Sequence, residues 1–253
     1  VTVNTGTQAV SSATIGNLNA LAAQTAISTI TGTLTAVTAS NVDALSADLD
    51  SDNSRISFTM KDHSDGVLTV SQATGLLNHT KQDSTNVIYT SGITGDLTDY
   101  VTAESETVIT AVQSVITEDS DAALTINDSS LTTALEIKDL NALATASSGV
   151  ITATIETAGD NLLGGTNGAT LGTGASDAIT ITVTDAISAA NHAALDLKTS
   201  GTVTLSGGFQ GALSDFSSDG SDITSNLDTA LDVSANAGKK ITITGSALGS
   251  GDV

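Results

Sequence analysis

Two hydrophobic periods take turns along this chain. Val42, Leu45 and Leu49 recur at helical spacing and predict a short helix with one buried stripe. Ile179, Ile181 and Val183 alternate with Thr180, Thr182 and Thr184, the pattern of a strand with one face buried. The two patterns are joined in a recurring phrase, in which a Leu/Ala-rich helical segment precedes a Thr-rich strand. Copies begin at Leu18-Asn19-Ala20-Leu21, Val42-Asp43-Ala44-Leu45, Leu140-Asn141-Ala142-Leu143, His192-Ala193-Ala194-Leu195 and Leu227-Asp228-Thr229-Ala230-Leu231. Weaker copies fall around Ala73–Leu77 and Thr107–Val112.

Local signals agree with this division. Ser40-Asn41 and Ser225-Asn226 stand where a helix needs an oxygen to accept its free N–H groups. Gly149, Gly201 and Gly238 stand where a helix end or turn calls for positive φ. The copies are unevenly spaced, so no strict repeat array is predicted. Gly159–Ala178, Asp215–Asp222 and Asp48–Asn53 read as loops or insertions. The chain is expected to be a single repetitive domain over residues 1–253, with a candidate sub-boundary near 128–135. The expected fold is mainly β with short helices: an elongated, repetitive β-solenoid or a layered β-sandwich.

Composition strengthens that expectation. The chain has no Cys, Pro or Trp, and only two Tyr and three Phe. Its core must be built from small aliphatic side chains, which suits a fold whose units bury their faces on neighbours. Seven Lys plus Arg stand against 28 Asp plus Glu, a formal net charge of −21. Of these acids 23 are Asp, the residue of turns, caps and cation-binding loops. Such a field repels phosphate backbones and anionic lipids, so neither nucleic acid nor membrane is an expected partner. No run approaches the roughly 18 apolar residues of a membrane-inserted helix. The start at Val1 without a basic leader is expected of a mature or excised chain whose export signal has been removed.

The phrases Leu140-Asn141-Ala142-Leu143 with Ser148-Gly149-Val150-Ile151-Thr152-Ala153-Thr154, and Leu195 with Lys198-Thr199-Ser200-Gly201-Thr202-Val203-Thr204, resemble degenerate repeats in very large cell-surface proteins of marine cyanobacteria. The resemblance is clearest from Ser130 to the end. It implies an exported surface-layer, appendage or adhesive role, and it supplies no catalytic residue.

Candidate chemistry is sparse. Asp48, Asp50 and Asp52 alternate as in a calcium loop, but Asn53 and Thr59 occupy the positions where an EF-hand has Gly and Glu. A calcium site of another kind is considered there, and a second at Asp215, Asp219 and Asp222 around Gly220. Asp62 with Asp65, and Glu118 with Asp119 and Asp121, are weaker candidates. His63, His79 and His192 are too scattered to predict a zinc set, and His192 reads as structural. No Gly-x-Ser-x-Gly elbow or Walker loop occurs, and Gly164-Gly165 and Gly207-Gly208 lack the setting of a nucleotide site. The chain is therefore not expected to be an enzyme. Thr-x-Thr pairs at 152/154, 180/182 and 202/204 fit an ice-binding ladder, but strand propensity explains them more simply.

The expected function is that of a secreted, extracellular cell-surface structural protein. It would assemble with itself into a fibre or surface layer, with Ca2+ screening its charge. Val1, Thr2, Val3, Ile241 and Ile243 are the expected assembly residues, because unpaired strand edges template strand addition. The alternative is an adhesin or phage-fibre-like module that binds a surface glycan or receptor.

Overall fold

The strands of this protein run mostly parallel, and helices make most of the crossovers that parallel pairing demands. The computed structural model describes residues 2–4, 10–27, 29–50, 52–80, 87–165, 168–217 and 222–244. The chain divides into two compact units, residues 1–127 with 142–151, and residues 128–141 with 152–253.

In the first unit, β1 (Thr2–Asn4), β2 (Ile30–Val37), β3 (Ser54–Met60), β4 (Leu68–Thr69), β5 (Val87–Ile88), β6 (Ile93–Gly95), β7 (Val101–Thr102), β8 (Thr107–Val108) and β9 (Leu124–Ile126) alternate with α1 (Ser12–Ala22), α2 (Ala39–Asp43), α3 (Val70–Leu76), α4 (Leu97–Tyr100) and α5 (Thr110–Glu118). One parallel sheet has the order β1-β2-β3-β5. A second pairs β4, β6 and β9 in parallel. The β7–β8 hairpin is antiparallel, and Glu104 and Glu106 adopt positive φ within its turn.

Helix α6 (Ala134–Ala146) leads to β10 (Ile151–Thr157). The second unit continues through β11 (Ala178–Val183), α7 (Ala189–Asp196), β12 (Val203–Leu205), β13 (Phe209–Gly211), α8 (Ser225–Asp232) and β14 (Ile241–Ile243). Strands β10, β11 and β12 pair in parallel, as do β13 and β14.

The expectation of a mainly β solenoid or sandwich is corrected by this arrangement. The fold is mixed α/β, with eight helices among the described residues, 36% helix, 26% strand and a six-stranded parallel sheet. The error has a physical source. Alternating Thr and aliphatic residues mark a strand wet on one face, commonly read as an all-β protein, whereas parallel sheets usually have both faces covered. Here β10 is parallel yet alternates strictly, with Thr152, Thr154 and Glu156 exposed between buried neighbours. Its register sets Thr154 beside Thr180 and Glu156 beside Thr182, and Thr182 in turn lies beside Thr204 of β12.

The core is aliphatic, but every aromatic side chain is also spent on it: Phe58, Tyr89, Tyr100, Phe209 and Phe216 are all buried. The tyrosines keep their hydroxyls bonded, Tyr89 Oη to Ala73 O at 3.1 Å and Tyr100 Oη to Ile93 O at 2.9 Å. Burial pushes both phenols well above their ordinary value, with acidic neighbours adding to the effect.

The recurring phrase has a common function in three copies. Asn19 Nδ2 donates to Ala44 O at 2.7 Å while its Oδ1 accepts the Ser46 N–H at 2.9 Å. Asn141 repeats the clamp on Thr170 O at 2.9 Å and the Gly172 N–H at 2.7 Å. Asp43, at the same place in its copy, accepts from Gln72 Nε2 at 2.8 Å. Each side chain thus ties its helix to a segment about one phrase further along the chain.

The Ser-Gly turns are also shared, but not for the expected reason at every position. Gly238 has positive φ, at 73°, whereas Gly149 and Gly201 lie outside the positive-φ group. Those two are required by close approach. A Cβ on Gly149 would lie 1.9 Å from Ala122 O, and one on Gly201 would lie 2.3 Å from Ile179 O. The preceding serines donate to neighbouring backbone, Ser148 Oγ to Ser120 O at 2.7 Å and Ser200 Oγ to Asp177 O at 3.0 Å.

At the start of α6, Thr133 Oγ1 accepts the Glu136 N–H, and Glu136 Oε2 accepts the Thr133 N–H. This is the reciprocal arrangement of a capping box. Burial pushes the Glu136 carboxyl up, but bonds from the backbone and hydroxyls of Thr132 and Thr133 outweigh it and hold the pKa below its ordinary value. A carboxyl with a lowered folded pKa stabilises the fold above its unfolded value, about 4.3, and loses that effect as pH falls through the folded value. The wild type is therefore expected to be more stable than Glu136→Gln at about pH 7, by a margin that is smaller at about pH 3. Thermal midpoints of both proteins at the two pH values check this, and an equal difference at both would refute it.

Candidate functional site

Two features of the second unit stand out once its loops are in place: an open cleft and a strand edge that is unpaired among the described residues. The cleft has a volume of about 620 Å³. It is lined by the segment after β10 (Gly159, Asp160, Leu163, Gly164, Gly165), the turn after β11 (Asp185, Ala186, Ile187), the first turn of α7 (Ser188, Asn191), β13 (Gln210, Gly211) and Thr244.

The walls are fixed from below. The segment expected to be a loop, Gly159–Ala178, is anchored by Leu162 and Leu171, both fully buried, and by a bridge between Leu163 and Thr170. Asp185 Oδ1 accepts the Gly159 N–H at 2.7 Å and ties two walls together. Ser188 caps α7 by accepting the Asn191 N–H at 3.0 Å. A Cβ on Gly159 would lie 2.5 Å from Ile187 Cγ2, and one on Gly165 would lie 2.7 Å from Asp160 Cβ.

The strand edge belongs to β14, which pairs only with β13 among the described residues. Phe209 N–H donates to Lys240 O at 2.8 Å, and Thr244 N–H donates to Gly211 O at 2.7 Å. Backbone groups alternate sides along a strand, so those of Ile241 and Ile243 face the open edge. Their side chains are 42% and 50% exposed. Lys239 and Lys240, two of only seven cationic residues in the chain, lead directly into this strand.

Other predicted positions serve the backbone. Asp50 Oδ1 accepts the N–H groups of Asp52 and Asn53 at 3.0 and 3.1 Å, and Asn53 Nδ2 donates to Asp48 O at 2.6 Å, so this loop closes on itself. Asp215 Oδ2 accepts the Ala212 N–H at 2.8 Å, and Asp222 O accepts from Ser217 Oγ at 2.8 Å. Asp219 lies outside the described residues, as does Val1. Thr2 and Val3 belong to β1, an edge strand. Among the described residues no group of three or more His, Cys, Asp or Glu could hold a metal ion. Near the weaker acidic candidate, burial pushes the Asp119 carboxyl above its ordinary value against the Tyr89 N–H, and Asp121 adds to the rise.

His192 is 1% exposed and its Nε2 lies 3.2 Å from Val203 O and 3.1 Å from Asn236 Nδ2. Its Nδ1 is buried without a hydrogen-bond partner. Asn236, fully buried, was missed by sequence reasoning, as were Asp160, Asp185, Asn191 and Gln210 of the cleft. The glycine content of Gly159–Ala178 was the only local signal for the latter. No helix among the described residues is long and apolar enough to cross a membrane. Comparison with known proteins gives no match: no family model, no curated protein and no solved structure is similar to the chain.

Proposed function

We propose that this chain is a structural subunit of an extracellular, cell-surface assembly, joined copy to copy by strand addition at β14. The observation that carries this reading is the edge of β14, unpaired among the described residues, with exposed Ile241 and Ile243 beside their outward-facing backbone groups. A second copy is the occupant that charge favours. Lys239 and Lys240 form a basic point next to the edge, and the remainder of every copy is strongly acidic. The incoming edge is β1, so the contact is heterologous, a geometry that propagates when it does not close. Secretion is part of the same proposal and rests on the cysteine-free, acidic composition. Calcium enters as a counter-ion to the net charge of −21.

Electron microscopy and light scattering of the full chain, in millimolar calcium and in chelator, test the reading. Ordered polymers are expected in calcium. Replacing both Ile241 and Ile243 by Lys is expected to raise the concentration needed for assembly roughly 100-fold, since two Ile side chains lose their burial. Monomers in both solutions, or unchanged polymers from the variant, would overturn it.

A further inference from the structure

The cleft of the second unit carries chemistry that strand addition does not use. We propose that it binds a neutral, hydroxyl-rich ligand, a sugar residue of a surface glycan. Its polar groups are Asp160, Asp185, Ser188, Asn191, Gln210 and Thr244. Carboxylates only accept, side-chain amides both donate and accept, and hydroxyls do either. A sugar ring offers neighbouring hydroxyls that can donate to the first and exchange bonds with the others. The volume, about 620 Å³, is that of a small-ligand site.

Charge narrows the choice. Among the described residues no Lys, Arg or His lines the cleft, so a phosphate, sulfate or carboxylate would face two aspartates with nothing there to offset them. A bare cation is poorly served, because the described residues include no carboxylate and imidazole group able to hold a metal. An ammonium would use the aspartates but leave the amides and hydroxyls without a purpose.

Shape agrees. Gly164 has a φ of 77°, and side chains on Gly159 or Gly211 would strike Ile187 or Asp215. These glycines let neighbouring segments of the walls pack closely, so the cleft is bounded by fixed rather than yielding surfaces. Leu163 and Ile187 add an apolar strip on which the C–H face of a ring can rest. The Asp185 carboxylate is already oriented by its bond to the Gly159 N–H, so little ordering remains to be done on binding.

The test is an array of immobilised neutral, anionic and amino-bearing glycans, probed with the labelled full chain and with the double variant Asp160→Asn, Gln210→Ala. Both substitutions fall on exposed side chains. Matching circular dichroism and thermal midpoints establish that the fold is kept. Retention on a subset of neutral glycans is expected, weakened about 10- to 100-fold in the variant through the loss of the charged Asp160 acceptor and of the Gln210 amide. Failure to retain any neutral glycan would overturn the proposal. So would retention confined to anionic or amino-bearing glycans, or retention unchanged in the variant.

Discussion

Asn236→Ala is expected to cost the protein about 3 kcal/mol of stability, one of the two largest effects of any single substitution considered. Asn236 Oδ1 accepts the Leu205 N–H at 2.8 Å, and Nδ2 donates to Val203 O at 3.0 Å and Ala230 O at 3.2 Å. All of these residues are buried. Alanine would leave the buried Leu205 N–H and Ala230 carbonyl short of a partner, each worth about 1–3 kcal/mol, and the Val203 carbonyl with only His192 Nε2, less the cost of burying the amide itself. His192→Leu is the internal comparison. It removes the Nε2 contacts to Asn236 and Val203 O but also the orphaned Nδ1, and Asn236 still serves Val203 O, so its effect is expected to be clearly smaller. Urea titrations of the three proteins measure both. A loss below about 1 kcal/mol for Asn236→Ala would refute the argument.

Gly149→Ala should be comparably damaging, by about 3 kcal/mol, although it adds only a methyl group. The new Cβ would lie 1.9 Å from Ala122 O and 2.6 Å from the Ala122 carbonyl carbon, both backbone atoms that cannot swing aside. The same substitution at Gly16 or Gly75 meets nothing within 4 Å, and both lie inside helices. There it is expected to stabilise by about 0.5–1 kcal/mol through helix propensity. Thermal unfolding separates the cases by sign, at roughly 2–4 °C per kcal/mol for a chain of this size. Shifts of one sign at all three glycines would sink the idea that close approach, rather than flexibility, dictates Gly149.

These two residues also show how far the sequence could be read. Gly149 was legible as a required glycine, because Ser-Gly recurs before β-branched runs. Its reason was not, since the crowding comes from Ala122, well separated along the chain. The alternation of Ile179, Ile181 and Val183 with threonines correctly marks the buried and wet faces of β11. It is silent about strand direction, and that silence led to the solenoid or sandwich expectation. The helix expected from Val42, Leu45 and Leu49 ends at Asp43, so that Leu45 and Leu49 lie beyond it, and its cap is Thr38, bonded reciprocally with Asn41 and two residues before the expected Ser40. Asn236 and the cleft left almost no trace, because their meaning depends on segments brought together only by the parallel register. No local spacing could bring Asp160, Asp185, Gln210 and Thr244 to one place.

The wet threonine face of β10–β12 bears on the dimensionality of any assembly. Sheets stack about 10 Å apart when both facing surfaces can be dried. Thr154 beside Thr180, Thr182 beside Thr204, and the exposed Glu156 in the same array present hydroxyls and charge instead. Drying such a face strips water from groups that a facing copy of the same surface cannot fully repay. Face-to-face stacking is thereby disfavoured, while the strand edges are left to pair. An assembly that grew only by edge pairing would make threads, and threads that do not bundle would stay dispersed, each with its clefts exposed.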